Sequence, residues 1–145
     1  MRSNIRGWVV AALALGFGTA ASAQHVSATS AWFRSLPTGL PAGGYFTLLN
    51  SGATPVELVG AQSPACGMLM LHRSTETGGI SRMNDVNSVA IPPGGTLEFA
   101  PGGYHLMCMN PAAAMSPGKH VGVTLIFADH RKMEVDFTVK SAAGD

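Results

Sequence analysis

A histidine and a methionine stand two positions apart in the segment GGYHLMCMN, residues 102–110, which also contains a cysteine and a second methionine. If this segment is extended, His105 and Met107 point to the same face, because side chains alternate along a β-strand. Imidazole nitrogen and thioether sulfur are both ligands of soft transition metals. The preceding Pro-Gly-Gly is typical of a tight turn near an end of a sheet. The pair is a candidate metal site, although methionine is also ordinary core packing.

Two further residues of the same kinds extend this pair. His72 ends the strand-like run MLMLH, and Met83 lies in the polar segment SRMND, where we expect an exposed loop with little core to fill. The four residues have the spacing H-x10-M-x21-H-x-M. Two neutral imidazoles and two thioethers form a soft ligand set that suits Cu(I), whereas zinc and iron sites usually recruit thiolate or carboxylate. The sequence therefore predicts one copper site, formed by His72, Met83, His105 and Met107.

The start of the chain indicates export. Two arginines, at positions 2 and 6, precede an apolar run, and Ala-Ser-Ala at 21–23 is a small-x-small cleavage site of the secretory type. The apolar run is short for a membrane span, which needs about twenty residues. We therefore predict a signal peptide over residues 1–23 and a mature domain over residues 24–145, without stable membrane insertion.

Charge and motif content exclude several classes of protein. Removal of the leader changes the formal net charge from +1 to −1, because two arginines and no acidic residue leave. Such a chain lacks the basic stripe that contacts phosphates, which argues against nucleic-acid binding. The sequence contains neither a GxSxG elbow nor an HExxH pair, and its acidic residues have no fixed spacing to the histidines. We predict a binding protein and no enzyme.

The segments between the glycine and proline residues of this chain are typical of β-structure. Glycine and proline recur at short intervals and leave little room for helices. Strand-sized runs lie between them: YFTLLN (45–50), VELVGA (56–61), TLEFA (96–100), VGVTLIF (121–127) and KMEVDFTV (132–139). The last run alternates apolar and polar residues, as a half-buried antiparallel strand does. These patterns predict one all-β domain, a sandwich or a barrel.

The two cysteines, Cys66 and Cys108, flank the histidine-bearing segments. In an exported protein a disulfide is the default interpretation, and we favour one near the metal site. Free thiols that help to receive or pass copper are the alternative. In an extended segment Cys108 points away from His105 and Met107, which argues against direct ligation by this thiol.

The remaining sulfur and imidazole side chains have simpler interpretations. Met68 and Met70 share strand parity with His72, so Met70 is a candidate outer or substitute ligand, but we assign both methionines to core packing. His25 would be second in the mature chain, beside a free amine that chelates Cu(II), and is a minor candidate. Packing or surface positions are assigned to Met109, Met115, His120 and His130.

The whole pattern resembles the signature of the periplasmic CuA copper chaperone family, PCuAC. The motif H-x10-M-x21-H-x-M is met here, and the segments AWFRSLPTG, GGYFTLLNSG and IPPGGTLEFAPGGYHLM also look like that family. The likeness spans nearly all of the mature chain. It implies a cupredoxin-like Greek-key β-sandwich in the periplasm. It also implies that one Cu(I) per chain is bound by His72, Met83, His105 and Met107.

The resemblance implies a function and partners as well. Members of the family are held to deliver copper to the CuA subunit of cytochrome c oxidase, some alongside a Sco-type thiol protein. This chain departs from many members at Arg73, where they have an acidic residue or methionine. It ends in SAAGD, so a second Cu(II) site on a His/Met-rich tail is not expected.

Two alternatives stay open beside delivery. One is periplasmic copper storage or homeostasis. The other is an electron-transfer cupredoxin, whose blue-copper site needs a cysteine thiolate with two histidines and a distant methionine. In the usual arrangement that cysteine precedes its neighbouring histidine and methionine, whereas Cys108 follows both. The order disfavours a redox carrier.

Overall fold

The computed structural model describes residues 25–145, so the predicted signal peptide over residues 1–23 lies outside the described residues. Ten strands and no helix form the described part of the chain, and the prediction of an all-β domain is confirmed. No helix in this part is long and apolar enough to cross a membrane. The strands are β1 (Val26–Arg34), β2 (Ala42–Asn50), β3 (Val56–Gln62), β4 (Cys66–Thr77), β5 (Ile80–Asp85), β6 (Val89–Ile91), β7 (Thr96–Phe99), β8 (Tyr104–Pro111), β9 (His120–Phe127) and β10 (Lys132–Lys140).

Hydrogen bonds join the strands in the order β5-β4-β8-β2-β1-β10-β9-β3-β6, with β7 paired to β2. All neighbours are antiparallel except β1 and β10, which run parallel. β3, near one end of this order, also contacts β4, near the other end. The sheet therefore curls over on itself and encloses a core.

Aromatic side chains fill that core. The rings of Phe33 and Phe137 have centroids 4.9 Å apart, and those of Phe46 and Phe99 are 4.5 Å apart. All four side chains are buried. Tilted aromatic pairs at such distances contribute about 0.5–1.5 kcal/mol beyond the burial of their area. These contacts tie β1, β2, β7 and β10 together.

The side chains of β8 alternate between the core and the outer face of the sheet. Leu106 and Cys108 are fully buried in the hydrophobic core. Because side chains alternate along a strand, His105 and Met107 point to the opposite, outer face. The candidate ligands of β8 are thus held by a strand whose other side is anchored in the core.

Gly44 of β2 marks a close approach between strands. A Cβ at this position would lie 2.6 Å from Cε1 of Phe33 and 3.1 Å from Cβ of Leu106, and both neighbours are buried. We expect Gly44→Ala to lower the free energy of unfolding by about 1–3 kcal/mol, because an overpacked core must shift. Urea denaturation of the metal-free protein measures the change. Gly122→Ala in β9 is the matched control, since no atom lies within 4 Å of its added Cβ. Equal stability of the two variants would refute this account of the packing.

Candidate metal centre

His72 of β4 and His105 of β8 stand directly opposite each other in the antiparallel pairing of these strands. Their ring centroids are 5.6 Å apart and the ring planes meet at 81°. The two residues are only 9% and 4% exposed. The register of β4 against β8 therefore brings together two imidazoles that are distant in sequence and withdraws both from water.

The two predicted methionine ligands lie on the same face of the sheet. Met107 is two residues beyond His105 in β8, and Met83 of β5 pairs with Ser74, two residues beyond His72. Residues that pair directly, or that are two apart in one strand, share a face. All four predicted residues consequently face the same side of the β5–β4–β8 ribbon. Met83, His105 and Met107 also line one open cleft of about 280 Å³.

The expectation that Met83 lies in a loop is wrong. Met83 is in β5, although its side chain is 52% exposed as expected. Residues Gly78 and Gly79 have φ angles of +60° and +78° and connect β4 to β5. Two central residues with positive φ form the tight turn that suits a two-residue hairpin. The Gly-Gly pair was the sequence signal that could have located this strand.

A tight turn positions the backbone group that orients His105. The amide of Gly103 donates to the carbonyl of Ala100 at 3.0 Å, and Gly102 has a φ of +87°. Proline followed by glycine at the two central positions is the pattern of a type II turn. The Gly103 carbonyl then accepts a hydrogen bond from Nδ1–H of His105 at 3.2 Å. A proton held on Nδ1 leaves Nε2 with a lone pair for a metal.

The other three ring nitrogens of His72 and His105 have no hydrogen-bond partner in the described part of the chain. Nε2 of His105 and both ring nitrogens of His72 are buried and unpartnered. Nε2 of His72 lies 2.8 Å from Oδ1 of the exposed Asp85, but the alignment of the groups is not that of a hydrogen bond. Buried polar atoms normally find a partner, and an ion is one of the recognised explanations when they lack one. Nε2 of His105 and one ring nitrogen of His72 therefore fit a metal site.

The electrostatics of His105 also suit a ligand. Burial lowers the pKa of His105, the hydrogen bond to the Gly103 carbonyl raises it, and the neighbouring His72 lowers it again, with a net downward shift. The imidazole is therefore neutral at neutral pH. Histidine must be neutral to bind a metal, so little affinity is lost to competition from protons in this range.

The donor set discriminates between metals. Within residues 25–145, no group of three or more His, Cys, Asp and Glu side chains comes together in a way that could hold a metal ion. The face described above offers two imidazoles and two thioethers instead. Neutral nitrogen and sulfur donors of this kind suit copper, and thioethers in particular suit Cu(I). The residues present fit that ion.

An aromatic and cationic wall that the sequence analysis did not identify borders the cleft. The guanidinium carbon of Arg34 lies 5.5 Å from the ring centroid of Trp32 and 5.7 Å from that of Tyr45. A Cβ on Gly43 would lie 2.8 Å from the Tyr45 hydroxyl, so glycine at this position lets the phenol ring lie across β2. Gly43 pairs with Met107. Arg34 and Tyr45 line the same cleft as Met83, His105 and Met107.

Cys66 and Cys108 form a disulfide, with their Cα atoms 5.3 Å apart. The bond joins β4 to β8, the two strands that carry the histidines. Neither sulfur is a free thiol in this state, so neither can supply the thiolate of a blue-copper site. The alternative of free thiols that carry copper does not apply to this form of the protein.

The structure corrects two assignments among the other methionines and histidines. Met68 is 57% exposed, and Met70 belongs neither to the hydrophobic core nor to the residues packed against it, so the assignment of both to core packing is wrong. Both side chains lie on the outer face of β4, and strand alternation alone does not show whether another element covers that face. Met115 is buried, and His120 and His130 are exposed as expected. His120 Nδ1 lies 2.7 Å from Oδ2 of Asp136, at the surface and in β9, away from the β5–β4–β8 ribbon.

The described part of the chain is thus an all-β domain that carries two histidines and two methionines on one outer face. The profile of the family described as "Putative lipoprotein LpqE-like" matches residues 24–139. The Leifsonia xyli subsp. xyli (strain CTCB07) protein named "Putative lipoprotein Lxx21020" is 35% identical over 97% of this chain and 92% of its own length. The chain belongs to this LpqE-like family of PCuAC type, which confirms the resemblance found in the sequence.

Solved structures agree with this membership. Apo-DR1885 from Deinococcus radiodurans is 32% identical, with a TM-score of 0.64 over 97% of this chain and 94% of that one. The copper-bound PCuAC domain from PmoF2 is 21% identical, with a TM-score of 0.67 over 81% of this chain and 93% of that one. The predicted cupredoxin-like fold is confirmed by these likenesses.

Proposed function

We propose that the chain is a Cu(I)-binding metallochaperone, and that His72, Met83, His105 and Met107 hold one tightly bound ion. The observation that carries the proposal is the pair of opposed, buried imidazoles, each with an unpartnered ring nitrogen, on the face that also bears both thioethers. Relatives support it, because DR1885 has been solved as CuI-DR1885 and the PmoF2 domain as a copper-bound form. Copper is the cargo of such a protein, and no enzymatic activity is part of the proposal.

The ligand set suits a carrier that must both protect and release its ion. Thioethers bind Cu(I) without losing a proton, and the downward-shifted pKa of His105 keeps its imidazole neutral at neutral pH. Four uncharged ligands also leave the cuprous ion with its positive charge. A recipient with a thiolate can then compete for the ion through a favourable charge interaction that the chaperone lacks.

Release is proposed to begin at Met83. All six residues of β5 are exposed, and β5 forms the end of the strand order, paired with β4 alone. Elements with few buried contacts open locally at low cost in free energy. The two histidines lie on more buried strands. A recipient's sulfur or imidazole would therefore replace the Met83 thioether first and the imidazoles afterwards.

The proposed compartment is the periplasm and the proposed recipient is the CuA subunit of cytochrome c oxidase, with a Sco-type thiol protein as a second proposed partner. The leader expected over residues 1–23 supports export, and disulfides persist in oxidising compartments. Storage or homeostasis of copper is the competing function. It predicts binding without transfer, and this difference can be measured.

Transfer to a CuA domain tests the proposal. We expect two equivalents of the Cu(I)-loaded protein to load an apo CuA domain, and one-electron oxidation of the product to give the purple absorption of that centre. A Cu(I) chelate that holds free copper at the same level serves as the control and should load the domain more slowly. Tight binding of Cu(I) without any transfer would support storage and contradict delivery.

A further inference from the structure

The outer face of β4 and β8 carries a ladder of three consecutive side-chain pairs. The directly opposed pairs are His72 with His105, Met70 with Met107, and Met68 with Met109. Successive pairs are two residues apart, so all six side chains face the same side. The proposed copper site uses the histidine pair and Met107. Met68, Met70 and Met109 have no role in it.

Core packing does not account for these three methionines. None of them belongs to the hydrophobic core or to the partly buried residues packed against it, whereas the alternate residues Leu69 and Leu71 of β4 do. Met68 is 57% exposed, and β5 pairs with β4 only from His72 onward, so the preceding half of β4 is uncovered by that strand. One exposed and two half-buried methionines, Met68 with Met70 and Met109, are thus placed together outside the core, where burial stabilises them less than core residues.

The geometry brings three thioethers within reach of one ion. Opposed residues of an antiparallel pair have Cβ atoms about 4.5–5.5 Å apart, and diagonal neighbours about 7–8 Å apart. Met109 is opposed to Met68 and diagonal to Met70. Methionine has three rotatable side-chain bonds, so its sulfur adapts to a ligand position. A neutral set of thioethers selects Cu(I) over harder cations.

We propose that Met68, Met70 and Met109 form a second, weaker Cu(I) site beside the first. The inference rests on the proposed function for the identity of the metal. The second site is weaker because it contains no imidazole and is more exposed to water. An ion at this site lies next to Met107, which is opposed to Met70. The pair of histidines is the next pair along the ladder. It can move to them by exchange of one neutral ligand at a time, without electron or proton transfer.

Methionine methyl NMR under anaerobic titration with Cu(I) tests the second site. Cu(I) is diamagnetic, so the ¹³C-labelled methyl groups of individual methionines can be followed. We expect the first equivalent to shift the signals of Met83 and Met107, and the second equivalent to shift those of Met68, Met70 and Met109. Unchanged signals of the latter three at two equivalents would overturn the proposal.

A double variant, Met68→Leu with Met109→Leu, gives an independent readout. We expect the copper content at excess Cu(I) to fall from two equivalents to one, with the affinity of the first site unchanged within about threefold. Met133→Leu in β10 is the matched control and should keep two equivalents. Two equivalents in the double variant would contradict the proposal. If the first equivalent fails to shift Met83 and Met107 while the three methionines of the ladder respond, the proposed four-ligand site fails, and Cu(I) binding by Met68, Met70 and Met109 stands without it.

Discussion

Replacing His105 by alanine is expected to lower the Cu(I) affinity of the protein by about 100-fold or more, since loss of a group that only hydrogen-bonds to a metal ligand typically costs 10–100-fold. His105 is the ligand candidate whose environment is most completely arranged for the task. Its Nδ1–H is held by the Gly103 carbonyl, and its Nε2 is buried without a partner. The substitution removes that nitrogen and leaves one imidazole in the set.

Competition with a Cu(I) chelator under anaerobic conditions measures the affinity. Far-UV circular dichroism of the metal-free variant checks the fold, which should persist because His105 lies on the outer face of β8 and contributes nothing to the aromatic core. His120→Ala is the matched control. This exposed histidine of β9 contacts Asp136, so its loss should leave copper affinity within about threefold. Wild-type affinity in a folded His105→Ala protein would remove His105 from the site.

Removing the disulfide is expected to lower the free energy of unfolding by about 4 kcal/mol. The bond links residues 42 apart in sequence, and loop-closure entropy for such a loop corresponds to about 4 kcal/mol at 25 °C. The side chain of Cys108 is also fully buried, so its truncation adds a packing cost. The double variant Cys66→Ala with Cys108→Ala gives the clean comparison, because a single substitution leaves a free thiol.

Urea denaturation of the metal-free proteins measures this loss of stability. Addition of a phosphine reductant should destabilise the wild-type protein by a similar amount and leave the double variant unchanged. The comparison therefore separates the effect of the covalent bond from the effect of the two substitutions. A difference below about 1 kcal/mol between wild-type and variant would show that the disulfide contributes little to folding.

The strands of the core could be predicted well from the sequence, and β5 could not. In β10, Met133, Val135, Phe137 and Val139 are less exposed than most of the polar residues between them, because one face of the strand packs inward. A half-buried strand leaves this alternation in its sequence. β5 is exposed at every position, so no burial pattern constrains its residue types. Only the Gly-Gly turn before β5 indicates in the sequence where this strand begins.

Residue types and spacing nominate the candidate ligands in the sequence, but the arrangement of these residues could not be predicted from it. The pairing of His72 with His105 depends on the register of two strands that are distant in sequence. The alternation of residue types within a strand is the same whichever residues of the neighbouring strand are paired with it. The wall formed by Arg34 and Tyr45 was missed for the same reason, since both residues reach the cleft from β1 and β2.

The disulfide between β4 and β8 affects when the two opposed imidazoles are held firmly in position. It fixes together the two strands that carry the opposed imidazoles. Under reducing conditions this link is absent, and only backbone pairing then holds the imidazoles in position. Oxidation of the two thiols consequently strengthens the arrangement of the candidate metal-binding face. Under the proposed export to the periplasm, this face would be held most weakly where the chain is synthesised and most firmly in the compartment proposed for its function.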